Sequence, residues 1–134
     1  MHNSKNNPTI VIAAVIEKDN KFLIAQRGKK DHLYGKWEFS GGKMEAGETD
    51  QQCLQRELNE EFGIHAEVGS YLCTVDFEHK GKQMKMLAYY VTSYRGELTL
   101  FEHQQIKWVS KDELSSYDYP SPDLPIIELL KEKS

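Results

Sequence analysis

The chain is short of several things, and each shortage removes a class of protein. It carries two cysteines in 134 residues, Cys53 and Cys73, too few for a disulfide framework and without the spacing of a cysteine-based metal site. A reduced, cytoplasmic setting is therefore expected. The longest apolar run, Ile10 to Ile16, is far too short to span a bilayer, and no charged-then-apolar leader precedes it, so no membrane partner is expected. Basic residues are outnumbered, 17 against 21, for a net charge of −4. The global cationic field that a nucleic-acid polymer needs is missing. Of four prolines, three fall between Pro120 and Pro125, which marks one loop rather than a disordered chain. There is no repeat, linker or low-complexity segment.

What is present suits a soluble globular protein, with 39% hydrophobic and 28% charged residues. The length suggests one domain over 1–134, with 1–8 a loose polar terminus. Thr9 to Lys18 is rich in β-branched residues and predicts a buried strand; Asp19-Asn20 turns the chain into a second, Lys21 to Arg27. A basic loop, Gly28 to Gly35, leads to a short strand from Lys36 to Ser40. Beyond Ile64, Ala66–Glu78 and Gln83–Tyr94 predict a long hairpin, and Gln105–Val109 another strand. Ser110 begins a short helix, and Asp123 caps a last one through Ile126, Ile127, Leu129 and Leu130. Mixed strands with one internal and one terminal helix give an α+β domain, or a three-layer α/β/α sandwich.

The stretch from Gly41 to Ile64 carries the chemistry. Thr49 and Gln52 read as a capping box and Gly63 as a left-handed helix end. Leu54, Leu58 and Phe62 form an apolar stripe, and Glu57, Glu60 and Glu61 place three carboxylates on a neighbouring one. Like charges so spaced cost about 0.2–0.5 kcal/mol per pair. Arg56 reaches Glu60 one turn on, but one guanidinium does not neutralise three carboxylates. A hard divalent cation does, and carboxylate oxygen is the ligand that Mg2+ or Mn2+ prefers. A solvated charged face explains the glutamates alone, but not the fixed distance of Gly41, Gly42 and Glu48 before them. Charge is also segregated. Basic residues outnumber acids from Arg27 to Lys43, and six acids face Arg56 alone from Met44 to Glu61. A polyphosphate bridged through metal fits such a pairing.

Gly42, Glu48 and the run Arg56-Glu57-Leu58-Asn59-Glu60-Glu61-Phe62-Gly63-Ile64 match G-x5-E-x7-R-E-U-x-E-E-x-G-U, the Nudix box, at every defined position. The chain thus resembles the Nudix hydrolases. Ala25-Gln26-Arg27, Trp37 to Lys43 and Pro120 to Pro125 make it most similar to the MutT group, and especially to bacterial CTP pyrophosphohydrolases and 8-oxo-dGTP diphosphatases. The resemblance implies a Nudix fold with a mixed sheet, the box helix on one face and the C-terminal helix on the other. It also implies Mg2+-dependent cleavage of a nucleoside triphosphate to monophosphate and diphosphate by a monomer or homodimer.

By position, the resemblance makes Glu57, Glu60 and Glu61 metal ligands, with Glu57 also the general base, Glu48 a supporting glutamate and Arg56 the residue that orients them. The carbonyls of Gly41 or Gly42 complete the coordination, since glycine lets the backbone approach closely. Arg27, His32, Phe39, Ser40, Gly41, Gly42 and Asp123 fall at nucleotide-contacting positions. Asp123 stands where MutT enzymes carry an amide, and as an ionised carboxylate would accept from an exocyclic amine such as cytosine N4 or guanine N2. Ser40, where MutT has proline, points toward the CTP-type relatives too. Glu102 matches a late metal-site glutamate, and a plain loop carboxylate fits it equally. Of Trp37, Phe39, Tyr34 and Tyr119, one or two would stack on a base. Other substrates, such as ADP-ribose, dinucleotides or coenzyme A, and a non-catalytic nucleotide-binding module remain open beside the triphosphatase.

Overall fold

The computed structural model describes residues 7–133. Of the loose terminus expected at 1–8, residues 1–6 lie outside the described residues. The elements run β1 (Thr9–Lys18), β2 (Lys21–Arg27), β3 (Trp37–Glu38), β4 (Gly41–Lys43), α1 (Asp50–Phe62), β5 (His65–His79), β6 (Lys82–Arg95), β7 (His103–Ser110) and α2 (Leu124–Glu132). Two 3₁₀ turns, Lys111–Ser116 and Ser121–Asp123, join β7 to α2.

β1 is the hub. Its residues Ile12 to Ile16 are all buried, as in a strand covered on both faces. The sheet order is β3-β2-β1-β6-β5, with β4 added on β1 and β7 on β2. β1 runs parallel to β6 along Thr9–Ile16, antiparallel to β4 at Val11–Ala13, and meets β2 only at Glu17 and Lys18. The sheet is therefore mixed, and it forks where β1 exchanges β4 for β2.

Alternate residues of β1 feed two cores. Ile12, Ala14 and Ile16 pack with Cys53, Leu54, Leu58 and Phe62 of α1, while Ala13 and Val15 pack with Ile126, Ile127 and Leu130 of α2. The two helices thus lie on opposite faces, the sandwich that the sequence implies. Each such side chain contributes about 1.5–3 kcal/mol on burial. β6 follows the same rule: Met86 and Ala88 face the α2 side, while Leu87 and Tyr89 pack toward α1. With apolar residues wanted on both faces, its alternation blurs in the sequence.

The punctuation acts as expected. Thr49 Oγ1 accepts from the Gln52 N–H at 3.1 Å, Gln52 Oε1 accepts from the Thr49 N–H at 2.9 Å, and Gly63 is left-handed at φ 72°. Both hairpin loops use paired left-handed residues, Asp19-Asn20 and Lys80-Gly81, whose twist matches that of the flanking strands.

Two expectations need correcting. The strand expected from Lys36 to Ser40 stops at Glu38, because the chain there crosses from β2 to β1: the Phe39 N–H donates to Asp123 Oδ2, and the Ser40 carbonyl accepts from the Ala14 N–H. Asp123 also does not cap α2 with its side chain. It occupies the first position in helical conformation, and its carboxylate turns back to Phe39.

Candidate active site

A cleft of about 1130 Å³ opens at the fork, lined by Val11–Ala13 of β1, the end of β2, the strand β4, the inner face of α1 and the 119–124 turn. That exceeds what a drug-sized ligand usually needs.

One end is built by α1 and β4. A Cβ on Gly42 would run into the Glu57 carboxylate, and one on Gly41 into the Ile12 carbonyl. Glycine at these positions lets β4 lie flush on β1 while Glu57 lies flush on β4. Arg56 then ties the glutamates together. Its Nε and Nη2 donate to both Glu48 oxygens at 2.6 and 3.1 Å, and Nη1 donates to Glu57 Oε2 at 2.9 Å. Nη2 also reaches the Lys43 carbonyl at 3.0 Å. The forked guanidinium supplies geometry that an ammonium cannot. With Arg56 and the Glu45 N–H donating to it, the Glu48 carboxyl is held down at about 2.

Glu57 and Glu61 line the cleft, and Glu102 stands at its rim. Glu60 does not. Its side chain is 51% exposed and leans on Arg56 at 3.4 Å, so two of the three box carboxylates converge, not three. The stripe read from the wheel is wide enough for Glu60 to fall on its solvent side. Among the described residues, no three acid, imidazole or thiol side chains close around one point. Burial raises Glu57, against the pull of Arg56. Glu61 is pushed up to about 10 by burial first, then by Glu38, Glu57 and Glu102. Its Oε1 is buried without a hydrogen-bond partner among the described residues. A hard-oxygen donor set with an orphaned carboxylate oxygen fits a divalent cation, and Glu57 and Glu61 are the residues placed to hold it. The Gly42 carbonyl accepts a weak hydrogen bond from Cys53 Sγ at 3.7 Å.

The other end is assembled from scattered pieces. Phe39 lies nearly parallel to Tyr119, ring centroids 6.5 Å apart, and Met84 and Met86 contribute apolar surface. Asp123, 7% exposed, accepts the Phe39 N–H at 3.3 Å through Oδ2. Burial, then Glu38, push its carboxyl up to about 7 against that hydrogen bond and Arg27. Protonation near neutral pH would let it donate as well as accept. Of the four aromatics named from the sequence, Phe39 and Tyr119 reach the cleft, where Phe77 joins them; Trp37 is buried edge-on to Tyr117, and Tyr34 stands exposed away from it. Ser40 is not brought to the cleft. It is buried where the chain crosses from β3 to β4.

Between the ends, Arg27 and His32 line the cleft with Lys29 and Lys30. Arg27 is not a free cation: Nη1 donates to Glu38 Oε1 and Nη2 to Asp31 Oδ2 at 2.7 Å. His32 is 61% exposed, its ring 6.2 Å from that of His79. Sequence reasoning passes over Glu38, His79, Met84, Met86 and His103, all in the cleft wall. The β6 methionines had a usable signal in their alternation, whereas the others depend on strand register.

A NUDIX domain profile matches residues 5–130. The chain is 42% identical over 118 residues to the CTP pyrophosphohydrolase of Escherichia coli, covering 88% of this chain and 87% of that one. It is 32% identical over 122 residues to the 8-oxo-dGTP diphosphatase of the same organism, covering 91% and 95%. A solved MutT structure, from work on Aliivibrio salmonicida and Vibrio cholerae, superposes with a TM-score of 0.80 at 30% identity, covering 93% of this chain and 98% of that one. With the box glycines and glutamates placed on β4 and α1 and the whole sandwich shared, the chain belongs to the NUDIX domain family, among its MutT-like hydrolases.

Proposed function

We propose that the protein is a magnesium-dependent nucleoside triphosphate pyrophosphohydrolase, converting a triphosphate and water to a monophosphate and diphosphate. Manganese would also serve. The observation that carries this reading is one continuous cleft with Glu57 and Glu61 at one end and the Phe39–Asp123 pair at the other. The relatives named for CTP and for 8-oxo-dGTP support the same substrate class.

When bound, a divalent cation neutralises the diphosphate and acidifies a water. The protein's own residues do the rest. Arg56 fixes Glu57 against Gly42 through one carboxylate oxygen, and in this reading the carboxylate takes a proton from the attacking water. Burial and the neighbouring Glu38, Glu57 and Glu102 raise the Glu61 carboxyl, and a divalent cation held between Glu57 and Glu61 would favour its ionised, ligating form. Arg27, Lys29 and Lys30 present positive charge along the triphosphate's path. Asp123 reads the base edge. As a carboxylate it accepts from an exocyclic amine, and as an acid it also donates to a ring nitrogen or carbonyl.

The preferred nucleotide in this reading is CTP, dCTP or an oxidised derivative, with 8-oxo-dGTP next, and the work is removal of unwanted nucleotides before polymerases use them. We read the whole chain as one catalytic unit acting on a free nucleotide in the cytoplasm, with Cys53 and Cys73 as thiols. No helix among the described residues is long and apolar enough to cross a membrane. The test is diphosphate release from a (d)NTP panel with Mg2+, followed by kcat/KM for CTP, dCTP, 5-hydroxy-CTP and 8-oxo-dGTP. Failure to release diphosphate from every triphosphate would end this reading.

A further inference from the structure

One residue of the cleft wall lies between the carboxylate end and the Glu38–Arg27 pair at mid-cleft without belonging to the box. His103 opens β7, its side chain 5% exposed, and stacks on Phe62 of α1 with ring centroids 5.5 Å apart. Its Nε2 lies 2.8 Å from Glu38 Oε2, and the other oxygen of Glu38 takes the Arg27 guanidinium. Its Nδ1 faces Glu61 Oε1 at 3.9 Å, and both atoms are buried with no hydrogen-bond partner among the described residues. Two orphaned polar atoms aimed at each other lie about 1 Å short of a bond of ordinary length. The ring has little freedom to turn elsewhere, since Phe62 holds its face and Glu38 holds its far nitrogen. The backbone sets this up: His103 pairs with Arg27 across the β2–β7 ladder, next to the irregularity between Gln26 and Arg27.

We infer that His103 is a positioning residue that bridges Glu61 to Glu38, joining the carboxylate end of the cleft to the Arg27 loop. Resting on the function proposed above, it assigns each ring nitrogen a separate task. Nδ1 holds Oε1 of Glu61 and thereby aims the other oxygen, while Nε2 holds Glu38 and thereby the nucleotide-facing Arg27. One proton between Nδ1 and Oε1 completes the contact, whichever atom carries it.

Two substitutions separate the tasks. His103→Asn keeps an amide near the Nδ1 position, able to donate or accept toward Glu61, but does not reach Glu38. His103→Gln keeps the reach to Glu38 and loses the contact with Glu61. Both lose the stack on Phe62 equally, so a packing role affects them alike. Mn2+ affinity is measured on the nucleotide-free protein by the electron paramagnetic resonance of free Mn2+, and kcat and KM for CTP are measured with Mg2+. His103→Gln is expected to weaken Mn2+ binding and lower kcat about 10–100-fold, the range for loss of a residue that orients a ligand, with KM little changed. His103→Asn is expected to keep Mn2+ binding and kcat within a few-fold and to raise KM about tenfold. Gln and Asn variants that lose equally, or that both match the wild type, would overturn the bridge and leave His103 as packing. A wild-type protein that neither binds Mn2+ nor releases diphosphate overturns the proposed function and the bridge together. A wild type that does both, beside a Gln variant equal to it, removes the bridge alone.

Discussion

At one end of the cleft, Gly42, Glu48, Arg56, Glu57 and Glu61 come from one continuous stretch, Gly41 to Glu61, and Arg56 ties its glutamates together. Glu48 is saturated by Arg56 and the Glu45 N–H, and Glu57 is pinned between Arg56 and Gly42. At the other end, Phe39, Met84, Met86, Tyr119 and Asp123 come from three separate segments and meet only because the sheet and the 119–124 turn bring them together. There one buried carboxyl is left poised near neutrality. In the proposed reading, reaction chemistry sits where geometry is local, and base choice sits where it depends on the whole fold.

The sharpest way to break this contrast is at the carboxylate end. Glu57→Gln should lower kcat by about 10²–10⁴-fold with an unchanged circular dichroism spectrum. Near-normal turnover would remove Glu57 from the role of base. Gly42→Ala should fold, since its new methyl meets the end of a side chain rather than backbone, yet displace Glu57 enough to cost about 10²-fold in kcat. Arg56→Lys keeps the charge but not the fork, and a loss of about 10–100-fold in kcat should appear without a matching rise in KM.

Perturbing the base end should change preference rather than rate. Asp123→Asn should shift the ratio of kcat/KM between CTP and 8-oxo-dGTP by about 1–3 kcal/mol, the value of one buried base contact, while leaving Mn2+ binding intact. It also carries a pH signature in stability. The Asp123 carboxyl is raised from 3.8 to about 7 by burial. Folding is therefore unpenalised below pH ~4, where both states hold the proton, and loses stability as pH rises through 7. The Asn variant should match the wild type in denaturant midpoint at pH 4 and exceed it at pH 8, by up to about 4 kcal/mol. A gap that does not grow with pH would mean that Asp123 is ionised throughout. The smallest effect belongs to Ser40→Ala, which should leave kcat/KM for every nucleotide within roughly twofold, because Ser40 lies outside the cleft.

The same contrast explains what the sequence discloses. The cap at Thr49, the stop at Gly63, the apolar stripe and the box spacing are all readable within one helix and its approach, and these features fix where Glu57 stands. Glu60 shares a face with Glu57 and Glu61 on a wheel at i, i+3 and i+4, while its side chain lies on the solvent side of that face, beside Arg56. Ser40 misleads because a neighbour of Phe39 and Gly41 need not point the same way when the chain is changing strands. Asp123 looks like a cap in sequence, and only the approach of Phe39 across the fold reveals that its carboxylate is engaged elsewhere. His103 and Glu38 carry no local signal at all, since their pairing depends on the register of β7 against β2.

The parallel ladder between β1 and β6 has one more consequence, and it concerns time. It joins the first strand to one that follows both the box helix and the β5 arm of the hairpin, so it is among the most non-local pairings in the chain. Such pairings form slowly, because a long loop must close before any contact rewards it. Yet β1 is also the surface on which β4 lays Gly41 and Gly42. The helix carrying the glutamates can form early on its own caps, but the place where they act exists only once the two distant strands have met. Catalytic competence is therefore a late event in the life of each newly made chain.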